Sequence, residues 1–437
     1  MHKRTRKIVV AIFMIFNSLA FAGSGLQTRQ FLTHMHKSVL ENGLPLIYEW
    51  DESSHVTVLQ LFIKGGQHAE PEGKAGLAYI TTRLSLEIPD QSKTQELMNQ
   101  ATRIYMACKE DFSHITLSCL SENLENALEV MSKILSKPLF SGIRIDRIKD
   151  RMERQQNREA DEPFNQAHET YMNAFFKGSP YANSVYGDEK SRKATKKKDI
   201  QLYYQKYFTA KNMVLVVSSD LPKEEITALM NTYLGVFPEG SPAALVSYDL
   251  APEVQKTITI EKDSQQSYIS AGYFIDGSSP RNYIHALLIN NLLGKGVNSR
   301  LWELRIKDKL AYNVNSRFTF TREGILLEAF LETENAKREA AQQALQETLQ
   351  TLFSDGINEE ELTTTKVFAK SLLLRDNETK ENRSRTLAFF EILGLGYDFI
   401  DEIFAQIDAT TPEELNAFLQ TYLKPEKAIF VVVGPST

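Results

Sequence analysis

Two stretches of the chain, 215 residues apart, read as versions of one another. Residues 199–220 run DIQLYYQKYFTAKNMVLVVSSD and residues 414–435 run ELNAFLQTYLKPEKAIFVVVGP. Tyr207 falls on Tyr422, and residues 213–217 fall on 428–432. Each copy reads as an amphipathic helix, a short break and a buried apolar strand. A second pair lies near the start of each half. Residues 57–63 precede Gly65-Gly66, and residues 269–275 precede Asp276-Gly277, with Phe62 on Phe274 at an offset of 212. Two nearly equal offsets from opposite ends imply a duplicated domain, and 437 residues leave room for it. The seam falls at residues 238–252, which hold three prolines and Gly240 and lack periodicity. The expected organisation is therefore a domain over 23–238, a linker over 239–252 and a second domain over 253–437. In each half strands lead, long helical stretches such as 124–135, 145–158 and 336–353 follow, and a helix and a strand close. That grouping argues for an α+β fold with helices layered on a sheet.

The N-terminus stands apart from the repeat. His2, Lys3, Arg4, Arg6 and Lys7 precede an apolar run over residues 8–16, and Ala20-Phe21-Ala22 then offers a small-x-small cleavage site. This is the pattern of a secretory signal peptide over residues 1–22. The run is too short for a membrane anchor, which needs about 20 apolar residues. The expected location is periplasmic or otherwise secreted, with no transmembrane segment in the mature chain. Removing four Lys and Arg takes the net charge of −6 to −10. With no basic block beyond Lys196-Lys197-Lys198, nucleic acid is not an expected partner, since phosphate neutralisation needs clustered cations. Export permits a disulfide between the two cysteines. However, strands over 103–109 and 113–120 set Cys108 opposite His114 rather than Cys119, so two half-buried thiols are expected.

The stretch Gly66-Gln67-His68-Ala69-Glu70-Pro71-Glu72-Gly73-Lys74-Ala75-Gly76-Leu77-Ala78 resembles the insulinase/pitrilysin family, which includes the mitochondrial processing peptidase and its bacterial relatives. Similar echoes are Lys137-Pro138-Leu139-Phe140, Ser179-Pro180-Tyr181, Asn298-Ser299-Arg300-Leu301 and residues 355–362, DGINEEEL. The resemblance spans nearly the whole mature chain and implies two homologous halves of a clam-shell, each a mostly antiparallel sheet covered by helices.

In active members that stretch leads into a zinc helix of pattern His-x-x-Glu-His. Here Tyr79 and Arg83 stand at the two His positions and Thr82 at the general-base Glu. Zinc takes neutral imidazole nitrogens, set on one helix face by the i, i+4 spacing. Arg83 is a permanent cation and cannot ligate; Thr82 cannot take a proton from zinc-bound water at useful pH. The third ligand position aligns with Gln155, and the neighbouring Glu153 and Glu159 read as solvated helix face. The histidines His2, His34, His36, His55, His68, His114, His168 and His285 form no HxxEH or HxxxH pair. No cofactor is expected on this chain, and zinc is expected in a partner.

The segment from Leu304 to Tyr312 carries a second family signature, an Arg and a Tyr seven residues apart. The resemblance gives Arg305 and Tyr312 a substrate-binding role, reaching across to the zinc site. The expected function is the zinc-less subunit of an exported two-chain metallopeptidase, inactive alone. It would lend Arg305 and Tyr312 to a zinc-bearing homologue with an HxxEH helix that cleaves peptides. The alternative is a non-enzymatic scaffold or peptide-binding protein of the same fold.

Overall fold

The computed structural model describes residues 34–244, 246–250, 252, 256–306 and 309–436. The signal-peptide reading lies outside them. The first sheet contains β1 (Met35–Val39), β2 (Pro45–Trp50), β3 (Val56–Lys64), β4 (Arg103–Cys108), β5 (Phe112–Leu120) and β6 (Met213–Ser219), in the order β1-β2-β6-β3-β5-β4. The second contains β7 (Lys256–Glu261), β8 (Gln266–Asp276), β9 (Asn313–Phe320), β10 (Gly324–Glu334) and β11 (Ile429–Gly434), in the order β7-β11-β8-β10-β9. Among the described residues only β2–β6 and β7–β11 pair in parallel; every other pairing is antiparallel. The fold is α+β, two mostly antiparallel sheets covered by helices.

The helices of the first half are α1 (Leu77–Ser85), α2 (Gln91–Asn99), α3 (Leu124–Ser136), α4 (Gly142–Ala160), α5 (Pro163–Phe175), α6 (Glu189–Ala194), α7 (Lys197–Tyr207) and α8 (Lys223–Leu234). Those of the second are α9 (Pro280–Gly294), α10 (Trp302–Ile306), α11 (Arg338–Asp355), α12 (Glu359–Asp376), α13 (Lys380–Leu393), α14 (Phe399–Ala409) and α15 (Pro412–Tyr422). The matched stretches of the repeat fold alike: α7 leads to β6 as α15 leads to β11. Side chains make the helix starts, as where Thr411 and Glu414 form a capping box on α15.

The two halves exchange a helix. α5 of the first half packs on β8, β10 and β11 of the second sheet, and α13 of the second half packs across β3 and β6 of the first. Tyr171 of α5 is fully buried and donates to or accepts from Ser270 Oγ at 2.7 Å. Its ring lies so close to Gly272 of β8 that a Cβ there would stand 2.6 Å from it. α13 is tied by charge. Arg383, 8% exposed, bonds both Glu49 and Asp51, and Lys380 Nζ donates to the carbonyls of Ser54 (2.8 Å) and Val56 (3.0 Å). Both sheets are therefore covered on two faces, which explains why β6 (MVLVVSS) is buried at every residue instead of alternating.

The hairpin turns of the two sheets also meet. Asp111, between β4 and β5, accepts from Tyr181 Oη at 2.5 Å and from the Arg322 amide, between β9 and β10, at 3.1 Å. The cysteine register differs by one residue from expectation. Phe112 joins β5, with its ring 4.8 Å from Phe62, and shortens the turn, so Cys108 faces Ser113. Both thiols are free, and both are buried rather than half-buried.

Candidate functional site

α1 begins at Gly76, whose φ of +87° is a left-handed conformation that favours glycine. The amides of Gly76 and Ala78 donate to the Glu70 carboxylate at 3.1 and 2.8 Å, so Glu70 caps the helix. Burial pushes the Glu70 carboxyl up to about 8, against the pull of those amides.

The helix presents Tyr79 and Arg83 on one face, as the i, i+4 spacing requires. The Tyr79 ring meets the edge of Tyr186, centroids 4.9 Å apart at 72°. The Tyr186 hydroxyl donates to Glu159 at 2.9 Å, and Gln155 Nε2 donates to the same oxygen at 3.2 Å. Thr82 is buried and its hydroxyl bonds back to the Ala78 carbonyl at 2.9 Å. Arg83 pairs with Glu87 at 3.2 Å, which Arg147 also engages. This set does not fit zinc: one position is an ion-paired cation, one a hydroxyl turned into its own helix, one a ring packed on another. Among the described residues no three His, Cys, Asp or Glu side chains cluster as a metal site.

Glu159 corrects the reading of it as solvated face. It is half-buried and forms hydrogen bonds on the wall of the main cavity, while Glu153 is exposed. The reason is the loop that holds Tyr186: it packs on the face of α4 that carries Gln155 and, one turn on, Glu159, and the periodicity of a charged helix does not reveal this.

The cavity, about 930 Å³, lies between the two halves. Near α1 its wall is polar, with Gln156, Glu159 and Glu169. Burial, then the Glu159 charge, raises the Glu169 carboxyl. Further along, His168 Nδ1 lies 3.0 Å from Glu328, and Arg317 makes two bonds to the same carboxylate at 2.6 and 2.8 Å. Burial pushes Glu328 up, but the His168 and Arg317 bonds and charges together hold it below its ordinary value. The far wall is aromatic, with Phe62, Phe112, Phe320 and Phe389 around His114 and Arg385. Sequence reading passed over His114, His168, Arg317 and Arg385. The alternation of Phe112, His114 and Thr116 along β5 carries a signal for His114; nothing local marks the other three.

Arg305 and Tyr312 stand elsewhere. Arg305 is exposed on α10 with its guanidinium 4.6 Å from the Trp302 ring centroid. Tyr312 is 51% exposed and its hydroxyl donates to Glu334. Neither lines the cavity. Arg300 serves the fold instead. It binds Glu361 at 2.7 and 2.8 Å and the Gly356 carbonyl at 2.6 Å, joining two of the motifs that carry the resemblance.

A clam-shell half with a peptidase's helix but none of its metal chemistry defines a pseudo-peptidase. Comparison with known proteins gives the family. The profile of the insulinase family, peptidase family M16, matches residues 46–189, and that of the peptidase M16 inactive domain matches residues 195–366. The chain belongs to this family. It is 22% identical to the "Non-peptidase homolog YmxG" of Helicobacter pylori, covering 91% of this chain and 94% of that one. It is 20% identical to the "Uncharacterized zinc protease YmxG" of Bacillus subtilis, covering 91% and 97%. Among solved structures, a peptidase M16 inactive domain from Pseudomonas fluorescens superposes with a TM-score of 0.81 at 21% identity, covering 92% of this chain and 98% of that one. The relatives' names divide between protease and non-peptidase; Tyr79, Thr82 and Arg83 put this chain with the latter.

Proposed function

We propose that this pseudo-peptidase is the zinc-less subunit of an exported two-chain metallopeptidase. Its cavity holds part of an extended peptide, and Arg305 and Tyr312 serve a zinc-bearing homologue that makes the cut. The observation that carries the reading is their exposure outside this chain's own cavity, which leaves both donors open to a group that a second chain presents. An Arg fork and a phenolic hydroxyl suit a peptide carbonyl developing negative charge. Export is motivated by the basic, apolar and Ala-Phe-Ala sequence of residues 1–22.

The test is peptide cleavage by the mature chain mixed with an HxxEH homologue, with size-exclusion chromatography to follow assembly. The chain alone should be inert and the pair active. Arg305→Ala and Tyr312→Phe should each lower turnover roughly 10²–10³-fold with assembly intact, as for loss of one oxyanion donor. If both variants cleave at the full rate, Arg305 and Tyr312 have no such role.

The second reading is a peptide-binding protein without catalysis. It is favoured by the engagement of Arg305 on Trp302 and of Tyr312 with Glu334. Inertness of the chain with every HxxEH homologue, together with peptide binding, would select it. Both readings share a cavity that holds peptide.

A further inference from the structure

The aromatic wall of the cavity contains two nitrogens with nothing to bond. His114 is 7% exposed and its Nδ1 is buried without a partner. Arg385 donates through Nη2 to Glu381 at 2.7 Å and to the Tyr105 hydroxyl at 3.3 Å, yet its Nε is buried without a partner. Buried polar atoms are nearly always bonded, so an orphan calls for a reason. These two come from opposite halves of the duplication, and both residues line the same cavity.

Their surroundings define what would satisfy them. Arg385 can only donate, so the group missing at its Nε is an acceptor, and His114 joins it as a donor in the tautomer that carries the proton on Nδ1. The local charge is positive. Arg103 and Arg385 share the single Glu381 carboxylate, at 3.3 and 2.7 Å. Burial first, then the Arg385 and Lys109 charges, hold the His114 pKa down to about 4, with only Glu381 opposing. The acceptor is therefore an anion. Around it the wall is apolar. Phe62 stands across the sheet from His114, ring centroids 4.8 Å apart at 75°. Phe389 of α13 lies 6.0 Å from Phe112 and 6.4 Å from Phe320.

We propose that His114 and Arg385 form a subsite for the free α-carboxylate of a peptide whose last residue is aromatic or large and apolar. Only a chain terminus joins a carboxylate and an apolar side chain on one carbon, which is the pairing this wall offers. An acidic side chain within a peptide would carry two flanking amides into the phenylalanines, where they find no partners. This rests on the peptide-holding cavity of the previous section and names the end of the peptide it takes.

The test uses the full mature chain and three dye-labelled octapeptides of one Gly/Ser body. One ends in Phe with a free carboxylate, the second is its C-terminal amide, and the third has Asp inside and an amidated end. Fluorescence anisotropy should show the free acid binding at least tenfold more tightly than either amide. Arg385→Gln should bring the acid-to-amide ratio near one, and His114→Phe should reduce it. Acid and amide binding alike would overturn the terminus subsite and leave the peptide cavity standing. Tightest binding of the internal Asp peptide would likewise overturn it, in favour of side-chain recognition. If no peptide binds saturably, the cavity reading falls and the subsite with it. The comparison of acid with amide on the unaltered chain decides the matter even if a variant fails to fold.

Discussion

Glu70 shows how one residue of the family stretch shapes the helix that follows. Its carboxyl titrates near 4.5 when unfolded and near 8 in the fold, where burial outweighs the bonds from Gly76 and Ala78. A raised pKa means the folded state holds the proton more tightly. That contribution is full below about 4.5 and is lost as pH rises through 8. Glu70→Gln removes the titration, so the variant's Tm relative to wild type should climb between pH 5 and 9. A constant difference would mean the carboxylate is ionised throughout. The former metal face gives a second expectation. Tyr186 places Glu159 against Tyr79, so Tyr79→His, Thr82→Glu and Arg83→His together gain a nearby carboxylate that Gln155 does not supply. The triple variant should retain about one zinc per chain after dialysis, by elemental analysis, and the wild type none. A metal-free triple variant would return the third position to Gln155. The loss of the ligands was plain in the sequence because a motif of fixed spacing exposes each substitution. The place of Glu159 was not, because it depends on where α4 ends against a loop beyond the next helix.

At the scale of elements, α13 is the piece whose role depends most on distant chain. Its Arg383 satisfies Glu49 and Asp51, more than 300 residues away. Removing one member of a buried ionic network leaves its partners charged and unpaired, at a cost of roughly 3–5 kcal/mol. Arg383→Leu should therefore lower unfolding free energy by about that much in urea titrations. A loss below about 1 kcal/mol would show that Glu49 and Asp51 find water or other partners. Strand identities were legible, since runs such as residues 213–219 and 429–434 are too apolar and β-branched to be much else. The Cys108 register was not, because whether Phe112 belongs to the turn or to the strand is settled by Phe62 beside it.

At the scale of the molecule, each half lends a helix to the sheet of the other. Residues 34–238 leave the β3–β6 face without α13, and residues 253–437 leave β8 and β11 without α5. Each half expressed alone should bind a hydrophobic dye and lack near-ultraviolet circular dichroism, as loosely packed chains do. The two co-expressed should purify together with those signals restored. A cooperative thermal transition in either half alone would show that the exchange is dispensable. The sequence by itself determined the repeat, the α+β elements and the loss of zinc chemistry. All three are written in local periodicity or fixed spacing, which neighbouring residues impose on the backbone directly. Only the tertiary structure decided which helix covers which sheet, that Arg305 and Tyr312 stand outside the cavity, and that His114 and Arg385 line the same one. Equivalent helices of a duplicated fold carry equivalent apolar faces. Covering its own sheet or the other's satisfies the same pattern, and only packing such as Tyr171 on Gly272 and Arg383 between Glu49 and Asp51 distinguishes the two.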